Sequence, residues 1–504
     1  VNARVEGIPF GEYELQEKKA PKGYNLDTTV YPIIIEESTQ EIVVNKTVTD
    51  TVIKGSLKGL KFGTKDIVSG HPNVALGGVE LTATSKTTGK KYFAVNKDDG
   101  SFEINHLPYD DYTLTETKGI EGYRLIAPFD FTIDSNGQVA TYHLEDKTIE
   151  NRVKIIKKDR DTGRVIAVEG TQFKIYDRVT KKFITNGQSD ILSTTKDGYI
   201  ITNNPLAYGK DRYEVREIQA PKGYVLSTDA VVFSVDSTSN DTVIEVNFTN
   251  KLQKGRVKLT KTVETATAIA TNQGSNGNYT LPTFTQQAGA GFKFKIKAME
   301  DIVAPDGTRY YAKGEFIQNN GQDIVLTTNE RGEAISPELF YIGKYALVEV
   351  FAPAGVVLDT TEHAFEIEYA GQTQEVSTKS IALENYLQSI HIIGKKQEEI
   401  LTGWENGKAI IALRNAQSGQ VFALRNEESI QVGDKTIPAN TTLAYATVEN
   451  GILNFANIKI PNKVTKLYIQ EVYAGNDYVL GTEKFAFTYQ PDNNAVVEIN
   501  ATEE

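Results

Sequence analysis

The chain contains no cysteine, one methionine and one tryptophan, and its five histidines are scattered through 504 residues. Without cysteine there is no disulfide framework, no thiolate zinc site and no cysteine nucleophile. His71, His106, His143, His363 and His391 show no ligand spacing, so neither a metal nor a cofactor is expected. No apolar run approaches the roughly 18 residues that a membrane span needs. Basic clusters are missing too. The 54 Lys and Arg against 66 Asp and Glu give a formal charge of −12, which argues against nucleic acid or anionic lipid as the main partner. Carboxylate pairs sharing a cleft, a Ser/His/Asp order and a phosphate-binding glycine loop are all lacking, so an enzyme is not expected. The opening Val-Asn-Ala-Arg has no signal-peptide pattern and the closing Ala-Thr-Glu-Glu no sorting signal, so the segment reads as an excised piece.

What is present is repetition at intervals of about a hundred residues. The pattern Tyr-x-apolar-x-Glu appears at Tyr13–Glu17, Tyr112–Glu116, Tyr213–Glu217 and Tyr345–Glu349, and once more, with Leu for Tyr, at Leu467–Glu471. Three copies run on into Ala-Pro turns: Ala20-Pro21-Lys22-Gly23-Tyr24, Ala220-Pro221-Lys222-Gly223-Tyr224 and Ala352-Pro353-Ala354-Gly355. Each Glu is followed after 28 to 36 residues by an amide or acid closing a strand-like run: Asn45, Asp146, Asn250, Asn385 and Asn500. Later repeats open with a short apolar strand ending in lysine, as in Val153-Lys154-Ile155-Ile156-Lys157 and Val257-Lys258-Leu259-Thr260-Lys261.

Five units follow from these markers: 1–47, 48–151, 152–253, 254–387 and 388–504, the first lacking its opening strands. Between the markers lie short alternating runs rich in Val, Ile, Thr, Tyr and Phe, separated by turns such as Asp98-Asp99-Gly100. With no sustained helical period, the fold class is all-β: antiparallel, Ig-like or prealbumin-like β-sandwiches strung end to end. Residues 265–291 carry no charge and have the composition of a long insertion loop. Asp159-Arg160-Asp161-Thr162-Gly163 offers oxygen ligands but lacks the completion of a calcium loop, and reads as a β-turn. Trp404 reads as a packing residue.

Alternation along a strand tells where the marked residues point. Tyr213, Val215 and Glu217 share a face, as do Tyr345, Leu347 and Glu349, Tyr112, Leu114 and Glu116, and Leu467, Ile469 and Glu471. Lys157 aligns with Val153 and Ile155, and Lys261 with Val257 and Leu259. Asn250 aligns with Val246 and Phe248, and Asn385 with Ile381 and Leu383. A Lys, a Glu and an Asn turned into one apolar interior are costly unless they meet. Burial disfavours charge, lowering a lysine pKa and raising that of a carboxylic acid. A neutral amine can then attack the amide. The protonated acid would hydrogen-bond the Asn carbonyl oxygen, stabilise the oxyanion and shuttle protons as ammonia leaves. The product is an amide between the two side chains, made once per domain.

These units resemble the Cna-B-type (prealbumin-like) domains of Gram-positive cell-wall adhesins and pilins, through the opening-strand Lys, the Tyr-x-Leu-x-Glu-x-x-Ala-Pro-x-Gly-Tyr box and the closing Asn. The resemblance covers essentially the whole chain. It implies spontaneous Lys–Asn bonds assisted by a buried acid, and stalk or pilus modules outside the cell, anchored to peptidoglycan through a C-terminal signal lying elsewhere. Carried over residue by residue, it gives Lys157, Glu217 and Asn250 in unit three and Lys261, Glu349 and Asn385 in unit four. Unit two gives Lys61, Glu116 and Asp146, where an Asp would release water, with Lys58 as an alternative lysine. Unit five gives Glu471 and Asn500 with Lys395 or Lys396, and a β-bulge would have to correct its parity. Unit one retains Glu17 and Asn45 but no opening lysine.

The expected function is structural: self-cross-linked modules of a stalk or shaft. A second reading is a module that binds a host matrix protein through 265–291 or unit five. A polymerising backbone pilin would need a Tyr-Pro-Lys-type motif, and Tyr31-Pro32-Ile33 lacks the lysine.

Overall fold

The computed structural model describes residues 3–238, 242–338, 340–417 and 419–501. Among these there is no helix, and the chain runs through successive β-sandwiches. It divides into two compact units. One holds the first two repeats and most of the third, and the other holds the chain from Asn250 onward together with the segments Asp159–Ile166 and Ala220–Leu226.

In the first unit, repeat two shows the plan most fully. One sheet orders the strands Phe129–Ile133, Asp110–Lys118, Glu80–Ser85 and Lys91–Val95, all antiparallel. The facing sheet contains the opening strand Lys54–Lys65 beside Pro72–Ala75, Ser101–Pro108 and the closing strand Val139–Thr148. The opening and closing strands run parallel, with Lys61 opposite Leu144 and Gly63 opposite Asp146. Leu57, Leu81, Phe102, Leu114, Phe131 and Leu144 fill the space between the sheets. Removing such apolar surface from water is the main driving force for closing the sandwich. Repeat three repeats the plan: Glu150–Asp159 pairs with Val243–Asn250 in one sheet, and Gly209–Gln219 lies beside Gln172–Asp177 and Val231–Val235 in the other. Repeat one is represented by a two-stranded sheet, Gly11–Leu15 with Tyr31–Ile35.

In the second unit, repeat four pairs Lys254–Gly274 in parallel with Val376–Asn385, and Gly343–Phe351 with Lys293–Ala298 and His363–Ile367. Repeat five pairs Ser389–Lys395 in parallel with Val496–Asn500, and Thr465–Tyr473 with Val421–Asn426 and Lys484–Tyr489.

The marker tyrosine makes a tyrosine corner. Its hydroxyl donates to a carbonyl a few residues upstream: Tyr13 to Pro9 at 2.8 Å, Tyr112 to Pro108 at 2.6 Å, Tyr213 to Ala207 at 2.8 Å and Tyr345 to Tyr341 at 2.7 Å. Asp159 closes a turn, its Oδ1 accepting the N–H groups of Asp161 and Thr162 at 2.8 and 2.9 Å.

Two expectations are corrected. Residues 265–291 do not form a loop. Most of them lie in a long antiparallel ribbon, the end of Lys254–Gly274 paired with Gly277–Ala288 through Gly274 and Gly277. The uncharged Thr/Ala/Asn composition suits a loop, but the β-branched residues pair across the ribbon, as at Thr271 and Thr280, whose hydroxyls are 2.9 Å apart. Trp404 is not a packing residue in this structure. It stands 69% exposed on a second ribbon, Gln397–Glu405 paired with Lys408–Asn415.

Candidate functional site

Each lysine is placed by its backbone. Lys61 donates its N–H to Gly100, Lys157 to Gly198, Lys261 to Gly332 and Lys396 to Gly451, at 2.7–2.8 Å. The acceptor is always the glycine of a tight turn with φ between 73° and 83°. A Cβ at Gly100 or Gly332 would fall 2.2–2.3 Å from the lysine carbonyl oxygen, so no other residue fits there.

Each glutamate is placed twice over. The register shifts beside Leu81, Phe173, Phe294 and Phe422, the partners of Glu116, Glu217, Glu349 and Glu471. A bulge at this position re-aims the strand. The carboxylate then accepts a backbone N–H ten residues further on: Asp27 to Glu17 at 2.7 Å, Ile126 to Glu116 at 3.0 Å, Ser227 to Glu217 at 2.9 Å, Asp359 to Glu349 at 3.1 Å and Gly481 to Glu471 at 2.9 Å. Sequence reasoning missed this bond. Its only trace is the constant length of the loop after the Glu.

In repeat four the trio meets. Lys261 Nζ lies 3.1 Å from Glu349 Oε2 and donates to Asn385 Oδ1, with Lys261 and Glu349 side chains fully enclosed. Asn385 Nδ2 donates to Glu349 Oε1 and to the Val357 carbonyl, both at 2.8 Å. The ammonium sits 5.1 and 5.4 Å from the ring centroids of Phe292 and Phe294. Burial, the largest effect, lowers the Lys261 pKa against the opposing pull of Glu349. The carboxyl thus faces the amide nitrogen, not the carbonyl oxygen expected of it, because Nδ2 has two protons to place and finds Glu349 and Val357. From there Glu349 can relay the amine's proton to the departing nitrogen.

In repeat two Lys61 Nζ lies 3.0 Å from Glu116 Oε2 and contacts Asp146 Oδ1, all three side chains buried. Burial pushes the Asp146 carboxyl up to about 6 despite Lys61. Lys58, the alternative, points outward to Glu103 at 2.6 Å. In repeat three Lys157 Nζ lies 2.8 Å from Glu217 Oε1, both enclosed, with Phe248 4.5 Å and Phe173 5.6 Å from the ammonium. Asn250 is fully buried and donates to the Val225 carbonyl at 2.5 Å.

Repeat five departs from the expectation. Lys395 is exposed. Lys396 makes the backbone bond to Gly451, and its Nζ lies 3.0 Å from Glu471 Oε1. Asn500 is exposed and pairs with Ile393, three residues before Lys396. Asp146 and Asn385 instead pair with Gly63 and Val263, two residues after their lysines. The pairing of Lys395 with Asn500 is therefore corrected: the strand breaks after Lys395, which turns the next side chain inward and leaves Asn500 short of the site. In repeat one Glu17 is half-buried and Asn45 exposed.

Fold and site together define a class of tandem prealbumin-like sandwiches in which an opening-strand lysine is buried against a glutamate. The family model described as SpaA: Prealbumin-like fold domain matches residues 2–52, 49–148, 151–252 and 283–381, and the chain belongs to that family. Among solved structures it is similar to the Bacillus anthracis TIE protein, at 21% identity and a TM-score of 0.41, over 71% of this chain and 54% of that one. It is also similar to a streptococcal ancillary pilin, at 18% identity and a TM-score of 0.20, over 66% and 99% of the two chains. The third is BcpA, the major pilin subunit of Bacillus cereus, at 13% identity and a TM-score of 0.27, over 66% and 100%. The chain thus spans about half the length of the first of these. No curated protein matches it.

Proposed function

We propose that the chain is a load-bearing segment of the stalk or shaft of a Gram-positive surface adhesin or pilus, outside the cell, whose modules close themselves by Lys–Asn or Lys–Asp amide bonds. The observation that carries this reading is the enclosure of Lys261, Glu349 and Asn385 within hydrogen-bonding distance of one another. The Lys261 amine attacks the Asn385 side-chain carbonyl carbon, a C–N bond forms, the bond to Nδ2 breaks and ammonia leaves with a proton passed on by Glu349. Lys157, Glu217 and Asn250 act likewise, and Lys61, Glu116 and Asp146 release water. The units 48–151, 152–253 and 254–387 are the modules so closed, with 1–47 and 388–504 flanking them.

A bond between the opening and closing strands carries tension past the sandwich, so force along the chain cannot peel the strands apart. The residues joined are 85 apart in repeat two and 124 apart in repeat four. By the disulfide chain-entropy relation, closing such loops contributes about 4.5–5 kcal/mol each. Protease resistance follows, because opening from the domain ends is suppressed. Binding to host ligands and attachment to peptidoglycan fall to other regions. The reading of 265–291 as a free binding loop loses support from the ribbon, whose Ala266, Ile269 and Leu281 pack on the core of repeat five.

Intact mass tests the proposal. The chain should weigh two ammonia molecules and one water less than its sequence, and cross-linked peptides should join Lys157 to Asn250, Lys261 to Asn385 and Lys61 to Asp146. A full sequence mass would overturn it.

A further inference from the structure

Two elements of a repeat reach onto the repeat that follows it. One is the segment just after the lysine. The Ile67 carbonyl accepts Arg212 Nη1 at 2.7 Å, Thr162 Oγ1 donates to Asp306 at 2.7 Å, and Glu264 meets Lys459 Nζ at 2.8 Å. The other is the turn after the glutamate. Gly23, Gly122 and Gly223 lie against Tyr109, Tyr208 and Tyr341, and Gly355 lies against Asn462, so close that a Cβ would fall 2.3–3.2 Å from them. The linkers Ile53, Ile149, Gln253 and Gln388 donate their N–H groups to the carbonyls of these glycines at 2.8–3.1 Å.

In repeat five both elements are built but bare. After Lys396 comes the ribbon Gln397–Glu405 with Lys408–Asn415. Its base is fastened: Glu398 accepts Arg414 Nε at 2.8 Å and Gln420 Nε2 at 2.9 Å. The Tyr478 hydroxyl, from the loop after Glu471, donates to the Glu399 carbonyl at 2.9 Å and ties the two elements together. The register sets Leu401 opposite Ile411 and Trp404 opposite Ala409, so Leu401, Trp404, Ile411 and Leu413 share one face. That face is 55–69% exposed, and on the adjoining loop Val479 is 94% exposed. A contiguous apolar face of this kind marks an interaction site, and a two-stranded ribbon is marginal in water without something to pack on. The ribbon of repeat four has such support, since its apolar side chains lie on the core of repeat five.

We propose that the 397–415 ribbon and the 472–480 loop are the seat of a further prealbumin-like repeat, placed C-terminal to repeat five as repeat five is placed on repeat four. The occupant is another module and not a second copy of this chain, because the receiving faces at Tyr109, Tyr208, Tyr341 and Asn462 are each already covered by the preceding repeat. Few basic residues flank the apolar face, which disfavours a lipid surface.

Trp404, the sole tryptophan, reports the contact. A second copy of residues 388–504 is appended after residue 504, with Trp404→Phe in the appended copy only. Acrylamide quenching of the remaining tryptophan should fall several-fold relative to the parent chain, and amide exchange across 397–415 should slow. Leu401→Asp with Ile411→Asp in the original ribbon should restore parental quenching. Amide protection in the appended core reports that it has folded, and a fusion carrying residues 151–253 instead supplies a second receiving face. Parental quenching in both folded fusions overturns the proposal. Concentration-dependent shielding of Trp404 in the parent chain, lost on dilution, also overturns it and assigns the face to a second copy.

Discussion

Gly451 accepts the backbone N–H of Lys396 at 2.8 Å, the same bond that Gly332 makes with Lys261. This equivalence fixes the register of repeat five and has a direct consequence. Lys396→Ala removes the partner of Glu471, whose side chain is only 5% exposed, and should cost repeat five about 1–3 kcal/mol. Lys395→Ala should stay within about 0.5 kcal/mol of the parent. Asn500→Ala should leave the intact mass deficit unchanged. Denaturant unfolding and mass spectrometry of the three variants check this, and a larger loss for Lys395→Ala would contradict the register.

Glu349→Gln keeps the size of the side chain but cannot take up and pass on a proton. Repeat four should then retain its ammonia and lose the stabilisation of loop closure, about 5 kcal/mol. One ammonia regained in the intact mass, with a lower melting temperature for this repeat alone, is the expected result. A cross-linked Glu349→Gln protein would remove Glu349 from the reaction.

Asp146 gives repeat two a pH dependence that only the unreacted protein can show. Its folded pKa of about 6 lies above the ordinary 3.8, chiefly through burial. A carboxyl raised in this way stabilises the fold fully below about pH 4 and loses that contribution as the pH rises through about 6. In Glu116→Gln, which traps the open form, the unfolding midpoint of repeat two should fall across that window. In Glu116→Gln/Asp146→Asn it should not. Under the proposed Lys61–Asp146 amide the parent has no such carboxyl left to titrate and should also be flat. Identical profiles for the two variants would count against the buried, titrating Asp146.

Arg212 belongs to the joint between repeats two and three. Its guanidinium pairs with Asp177 at 2.8 Å, both side chains buried, and donates to the Ile67 carbonyl at 2.7 Å. Arg212→Met leaves Asp177 buried without this partner and should destabilise repeat three by about 3–5 kcal/mol. It should also speed amide exchange around residues 66–71 of repeat two. Hydrogen exchange resolves the two effects, and unchanged exchange at 66–71 would show that Arg212 does not brace the joint.

The period of two along a strand and the recurrence of one motif were enough to turn Glu116, Glu217 and Glu349 inward and to choose Lys157 and Lys261, because alternation is a local property of extended chain. In repeat five parity turned Glu471 inward but left Lys395 and Lys396 open, because the chain breaks after Lys395 and a one-residue shift exchanges inside for outside. The ribbon of repeat four was equally illegible. Thr, Ala and Asn without charge suit a loop or a pair of strands, and what separates the two is whether a surface stands ready to receive them.

The amino-acid order alone thus determined the class of fold, the repeat and which face each marked side chain occupies, since these follow from spacing within single strands. Tertiary structure decided which lysine meets Glu471, that each glutamate is held by a backbone N–H from the following loop, and that Glu349 faces the amide nitrogen of Asn385. Those outcomes depend on the register between strands far apart in the chain, set by side chains competing for the same interior, and no local pattern carries that information.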